Sequence, residues 1–432
     1  MLRRTCLRLA TLASLPSSLS ARSQATFQIQ SDWTIQVSER GNTASVLTIE
    51  PPVIETVSME AYSSIPVFNP KAGGWVRGAQ LKGVKAQETT SPHLLDPGSF
   101  KLTTGQADLV RRIDYEVDLA WGTFGRLEGG SIRVGQTVYA NYRFTLPRID
   151  AVVKDRAGKI ILKQGTPRAA APTPPALSPG EVHLGNVYLP GPLTRLTQKH
   201  LFPLLEDSYP EAKQKRHPVI HRLMKQLNSG KVIRILAWGD SVTDGAYLAN
   251  KSAERWQEQF VARLQARFPK ARIELLTEAW GGRNTGSYLA EPPGSPHNYQ
   301  EKVLATKPDL IISEFVNDAS MKPDVVELRY TKLQKDFEAI GAEWIILTPH
   351  YIRPDWMNLT RENNIDEDPR PYVKALRQFC ANHGVPLADA SLRYGRLWRQ
   401  GIPYNTLMLN AINHPSAKGM SIFADALMAL FR

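Results

Sequence analysis

Between Val232 and Phe431 short β-branched runs alternate with longer amphipathic segments, and no other feature restricts the fold so tightly. The runs are Val232–Leu236, Ile273–Ala279, Leu310–Ile312, Trp344–Leu347 and Val385–Ala388. Each is short enough for a buried strand. Between them, Lys251–Phe268 places Trp256, Phe260, Leu264 and Phe268 at spacings of four. Val326–Ile340 carries Leu333, Phe337 and Ile340 in helical register, Tyr372–Asn382 is closed by Gly384, and Ser416–Phe431 ends the chain. At 3.6 residues per turn such residues share one helix face, which must be buried.

Strands that alternate with helices pair in parallel and are covered on both faces. Five of them predict an α/β domain with a flavodoxin-like, doubly wound sheet. Its ligands gather at the carboxyl ends of the strands. That edge collects Ser241, the Gly281-Gly282 loop, Asn317, His350, Asp389 and His414.

The amino-terminal half reads differently. Trp33–Val37, Ser45–Ile49, Tyr115–Leu119 and Val138–Phe144 alternate or are β-branched, and Gly, Pro and Asn punctuate them,. Ile149–Leu162 has the pattern of a hairpin turned at Arg156-Ala157-Gly158,. Short strands at this spacing predict a β-sandwich-like domain over residues 26–165. Residues 166–190 include the Pro/Ala-rich run Pro167–Pro179, which cannot build a core and reads as a linker, with one more strand at Val182–Leu189,. Tyr209–Leu227 carries a helical stripe closed by Gly230, and residues 191–432 form the second domain. Residues 1–25 read as a secretory signal peptide, with Arg3 and Arg4 ahead of the Leu/Ala-rich run Leu7–Leu15,. The same Arg- and Ser-rich stretch also fits a mitochondrial transit peptide, the alternative to a secreted or periplasmic location.

The formal net charge is +12, which favours anionic partners,. The basic residues are dispersed and lack interleaved aromatics, so nucleic acid is not an expected partner. No stretch reaches 18 uninterrupted apolar residues, so no membrane span is expected,. The two cysteines are Cys6 and Cys380, and no zinc-type His/Cys spacing or phosphate-binding glycine loop is present,. No metal or organic cofactor is therefore expected.

The chemistry concentrates in Ile235-Leu236-Ala237-Trp238-Gly239-Asp240-Ser241. A buried strand that ends in a tight turn before a helix presents a serine at the sheet edge, beside unpaired backbone N–H groups. Gly239-Asp240-Ser241, Gly282, Asn317-Asp318 and His414-Pro415 follow in the order and at about the spacing of four sequence blocks. On these residues Val232–Arg432 resembles the SGNH (GDSL-type) hydrolases. The resemblance implies a flavodoxin-like fold and ester hydrolysis. It assigns Ser241 as nucleophile, His414 as general base, and the backbone N–H groups of Ser241 and Gly282 with the Asn317 amide as oxyanion donors. Taken singly, Gly282 also fits a turn glycine, Asn317 a cap, and His414 a surface residue ahead of the last helix.

The chain departs from the family pattern twice. Phe315 stands where glycine is usual, and Ala411 stands three residues before His414, where the triad acid is usual. Three readings of the second departure stay open. His414 is oriented by a backbone carbonyl or Asn410 in a Ser–His dyad, or Asp389 supplies the carboxylate, or the site has decayed. His350 is a further candidate for substrate contact or for the base. The expected activity is that of a serine esterase removing O-acyl, chiefly O-acetyl, groups from a glycan. Trp280, Tyr288, Tyr351 and Trp356 fit packing on sugar rings and fit core residues equally well. A non-catalytic glycan-binding protein and an acyltransferase are the competing functions.

Overall fold

The structure, a computed structural model, describes residues 25–39, 43–211 and 217–432. The leader reading and Cys6 lie outside the described residues. Five parallel strands form the carboxyl-terminal sheet: β1 (Val232–Gly239), β2 (Arg272–Ala279), β3 (Leu310–Glu314), β4 (Glu343–Leu347) and β5 (Leu387–Ala388). Their order is β2-β1-β3-β4-β5, the doubly wound arrangement expected from the sequence,. The pleat sorts each strand between two cores. Ile233, Ile235 and Ala237 of β1 face one side with Ile312 and Ile345. Leu236 and Trp238 face the other with Ile311 and Trp344. Helices Pro218–Ser229, Trp256–Arg267 and Ala417–Leu430 cover the first side. Pro323–Ala339 and Pro371–His383 cover the second. Trp256, Phe260 and Leu264 are fully buried as their spacing requires. Each such side chain contributes about 1.5–3 kcal/mol by leaving water.

Lys251–Phe268 is not one helix. It breaks at Arg255, whose ψ of 147° is extended, into Lys251–Glu254 and Trp256–Arg267. The apolar stripe begins only at Trp256, so nothing draws the first four residues into the same helix face. Part of the Tyr209–Leu227 segment, residues 212–216, lies outside the described residues; the helix there starts at Pro218. Among the described residues no helix is long and apolar enough to cross a membrane.

The amino-terminal domain is rich in antiparallel strands, packed as sheets in two places. Ala25–Ser31, Thr34–Glu39 and Ser45–Thr48 share a core with a four-stranded sheet. In that sheet Arg148–Lys154 pairs with Ile160–Lys163 as the expected hairpin, turned through Gly158 at φ 83°. Val182–Leu189 pairs with the other side of Arg148–Lys154, so the chain returns to this sheet after the Pro/Ala run. Between these two layers in sequence, Ile54–Tyr62, Lys101–Thr103 and Val138–Thr145 form a sheet. It shares a second core with Ala79–Gln80, Tyr115–Asp118 and Thr123–Arg126.

The two domains are bonded to each other at several points. Asn186 Nδ2 donates to the Gly401 carbonyl at 2.6 Å. Thr89 Oγ1 donates to the Asn410 carbonyl at 2.6 Å.

Candidate active site

β1 runs buried into Gly239, and the chain turns at once into the one-turn helix Ser241–Asp244. Only glycine fits before the turn: a Cβ at Gly239 would lie 2.1 Å from Thr243 Oγ1 and 2.4 Å from the Glu314 carbonyl. Asp240 caps the helix, accepting from the Val242 N–H at 3.0 Å,. Ser241 therefore stands half-buried at the carboxyl end of the central strand.

Asp240 also sets the next residue of the site. Its Oδ2 accepts from the Asn317 backbone N–H at 2.9 Å and from the Asn317 side-chain amide at 3.0 Å. Asn317 sits in the 3-10 turn Val316–Asp318 directly after β3. One amide hydrogen is thus tied to Asp240 and the amide plane is fixed, which leaves the second without a partner among the described residues,. The third element is the exposed turn of Gly281, Gly282 and Arg283 after β2. A Cβ at Gly281 would be 3.8 Å from the Ser241 Cβ, so this loop lies alongside the serine. Gly282 has φ 73°, a left-handed conformation that side chains resist,. Neither the Ser241 nor the Gly282 backbone N–H is spent on a hydrogen bond among the described residues.

His414 Nε2 lies 3.3 Å from Ser241 Oγ. The ring is stacked on Tyr247, with centroids 4.1 Å apart and planes 6° from parallel. Its loop is built around Asn410. The Asn410 Oδ1 accepts from the backbone N–H groups of Ile412, Asn413 and His414 at 3.0, 2.9 and 2.9 Å. On the far side of the ring, Nδ1 is 2.8 Å from Oε1 of Glu88. Gln87 Oε1 is also near Nδ1, at 3.5 Å. Both residues belong to the amino-terminal domain, and the sequence reading did not single out either of them.

The other sequence candidates lie elsewhere. Asp389 caps the helix Ala390–Gly395 through the Leu392 N–H at 3.1 Å and is paired with Arg377 Nε at 2.7 Å. Its carboxylate also accepts from Thr348 Oγ1 at 3.1 Å, so it is committed to holding β4, β5 and the following helix together. His350 is fully buried against Tyr394 and Phe423, and burial holds its imidazole down to about 3. A ring that stays neutral in a closed core is unsuited to be the base. Tyr288 and Tyr351, which fitted either position, are fully buried core residues. Trp280 is stacked on His297 at 4.6 Å. Trp356 remains 46% exposed. It lies 5.6 Å from Trp75, which lies 5.2 Å from Trp121, and the Arg353 guanidinium sits over Trp121 at 4.6 Å. This cluster joins the two domains beside the histidine loop, because the Arg353 N–H donates to the Ile412 carbonyl at 2.9 Å.

Phe315, in place of the usual glycine, is buried edge-on against Trp238 at 4.9 Å and alters packing behind the site. Three acids lie underneath. Burial pushes Asp240 up to about 7, with the charge of Asp318 adding to the shift. Burial, then the charge of Asp240, holds Glu314 well above the usual carboxylate range. Burial raises Asp318 to about 6, against the hydrogen bond from Thr285.

The model of the GDSL-like Lipase/Acylhydrolase family matches residues 237–422. No curated protein sequence matches the chain. Among solved structures, a two-domain esterase active on acetylated mannans is similar at 16% identity and a TM-score of 0.39, over 49% of this chain and 52% of that one. The similarity thus spans about half the length of that esterase. An acetylxylan esterase from Geobacillus stearothermophilus is similar at 20% identity and a TM-score of 0.37, over 46% of this chain and 94% of that one. An alpha/beta hydrolase enzyme from the metagenome of Lake Arreo, Spain, is similar at 22% identity and a TM-score of 0.37, over 47% and 97%. The family match lies on the elements that carry Ser241, Gly282, Asn317 and His414, and it identifies residues 237–422 as a GDSL-like lipase/acylhydrolase domain, the domain of a hydrolase acting on ester bonds.

Proposed function

We propose that this protein removes O-acyl groups, acetyl above all, from a glycan, with Ser241 as nucleophile and His414 as general base. The observation that carries this reading is the 3.3 Å contact between Ser241 Oγ and His414 Nε2, a length usual for a resting enzyme,. A decayed site kept only for binding has no use for that contact. A serine hydroxyl is a poor nucleophile near neutral pH until an imidazole takes its proton.

In the first half-reaction Oγ bonds to the acyl carbon as its proton passes to Nε2. The carbonyl oxygen becomes an oxyanion facing the N–H groups of Ser241 and Gly282 and the free amide hydrogen of Asn317. Each such donor contributes about 3 kcal/mol to the transition state. Collapse breaks the bond to the sugar oxygen, which takes the proton from Nε2. Water then attacks the acyl-serine, its proton going to Nε2, and the released serine recovers that proton as the carboxylate leaves.

The glycan half of the reading rests on Trp356, Trp75 and Trp121 with Arg353 at the domain junction. Aromatic faces beside cations suit pyranose rings and the acidic groups many glycans carry. Export is part of the reading, on the strength of Arg3, Arg4 and the Leu/Ala-rich run behind them. A mature chain that retains residues 1–25 would contradict that part. The activity itself is tested by acetate release from acetylated xylan and mannan, beside 4-nitrophenyl acetate, for wild type and Ser241→Ala. Release that vanishes in the variant is expected; equal rates would sink the proposal.

A further inference from the structure

We propose that Glu88, on the β-rich amino-terminal domain, is the carboxylate that positions His414, so that one domain completes the active site of the other. The inference rests on the Ser241–His414 reading and extends it. Ala411 leaves the histidine loop without an acid of its own, and the structure fills the gap from outside that loop. Glu88 Oε1 is 2.8 Å from Nδ1. Asp389, the carboxylate expected from the sequence, is bound to Arg377, and the Gln87 amide oxygen stands farther from Nδ1, at 3.5 Å,.

The placement of Glu88 is built. It lies in the turn of a small hairpin, Lys85–Ala86 paired with Thr89–Thr90. Gln87 takes φ 42° to make that turn. Gln80 Nε2 holds the Glu88 carbonyl at 2.9 Å, and Asn410 Nδ2 donates to Oε1 at 2.9 Å. Thr89, the next residue, is bonded to the Asn410 carbonyl. The same asparagine therefore shapes the histidine loop and binds the carboxylate that faces it. Partial burial pushes Glu88 up, but the hydrogen bond and charge of His414 and the amide of Asn410 outweigh it. Glu88 is thus held below the usual carboxylate range and is an anion at neutral pH.

The physical consequence follows from where the two ring nitrogens point. With Glu88 on Nδ1, the proton of the neutral ring is kept there and the lone pair of Nε2 faces Ser241 Oγ. When Oγ gives its proton to Nε2, the imidazolium formed has a counter-charge in contact. Glu88 takes no proton; it acts through the ring and is a positioning residue. In a serine protease whose acid is buried, replacing that acid by its amide costs about 10⁴ in turnover. The Glu88 side chain is 44% exposed, and water partly replaces what it supplies. A fall of about 10²-fold is expected here.

The test uses the full chain with Glu88→Gln, Glu88→Ala and Glu88→Asp. We expect kcat to fall about 10²-fold in the first two, with KM little changed and partial recovery in Glu88→Asp. In ¹⁵N spectra the His414 ring should be the Nδ1–H tautomer in wild type and mixed in Glu88→Ala. A Glu88→Gln enzyme with wild-type kcat, beside an inactive Ser241→Ala, would overturn the role of Glu88 and leave the hydrolase chemistry standing. Identical ¹⁵N tautomers in wild type and Glu88→Ala would overturn it whatever the turnover.

Discussion

Asn410 accepts three backbone N–H bonds from the loop that carries His414 and donates its amide to Glu88, so one side chain ties the imidazole to the carboxylate that faces it. Asn410 itself is buried. Asn410→Ala would leave those N–H groups short of an acceptor, at a cost of about 1–3 kcal/mol. The denaturant midpoint should fall accordingly. Turnover should fall further than stability alone requires when it is measured well below that midpoint. Unchanged turnover in a folded variant would show that the loop holds its shape without this side chain.

Asn317 is expected to act only once charge has moved onto the acyl oxygen. Asn317→Ala should lower kcat by about 10²–10³-fold and leave KM nearly as it was. Steady-state kinetics on an acetate ester decide the matter. A rise in KM with kcat intact would make Asn317 a ground-state contact instead of an oxyanion donor.

The buried acid Glu314 should make the protein lose stability as pH rises. Its carboxyl is raised above the ordinary value of 4.5 in the fold. Above pH 4.5 the native chain therefore keeps a proton that the unfolded chain has released, and stability declines by up to about 1.4 kcal/mol per pH unit. Glu314→Gln removes that dependence because the amide has no proton to lose. Its thermal midpoint should match wild type near pH 4 and exceed it increasingly toward pH 8, with a residual slope from Asp240 and Asp318. A variant whose deficit is the same at every pH would contradict the assignment.

The α/β half was legible because burial writes a period into sequence. Trp256, Phe260 and Leu264 announce a helix face, and Ile235, Ala237 and the residues between them announce a two-sided strand. Ser241, Gly282 and Asn317 were legible as candidates because each follows the end of a strand, β1, β2 and β3, and His414 because His-Pro stands just ahead of the last helix. Glu88 was not. Its hairpin strands are two residues each, too short to show alternation, and Gln87-Glu88 looks like any polar turn. Its meaning lies in a contact between distant segments, which no local pattern encodes. Tyr288 and Tyr351, which fitted sugar-facing and core positions equally, were undecided for a related reason. Loop position alone does not distinguish a ring that faces solvent from one packed on Trp238 or Tyr404. The break at Arg255 was missed because the polar residues before Trp256 do not interrupt a helical pattern.

The Ser241 oxygen is expected to become covalently bonded to the acyl group during turnover. Treatment with a fluorophosphonate, followed by peptide mass spectrometry, tests it most directly. One adduct per chain is expected, on Ser241, much slower to form in His414→Ala and absent in Ser241→Ala. An enzyme that hydrolyses acetate esters while Ser241 stays unmodified, or that is labelled at another residue, would contradict it.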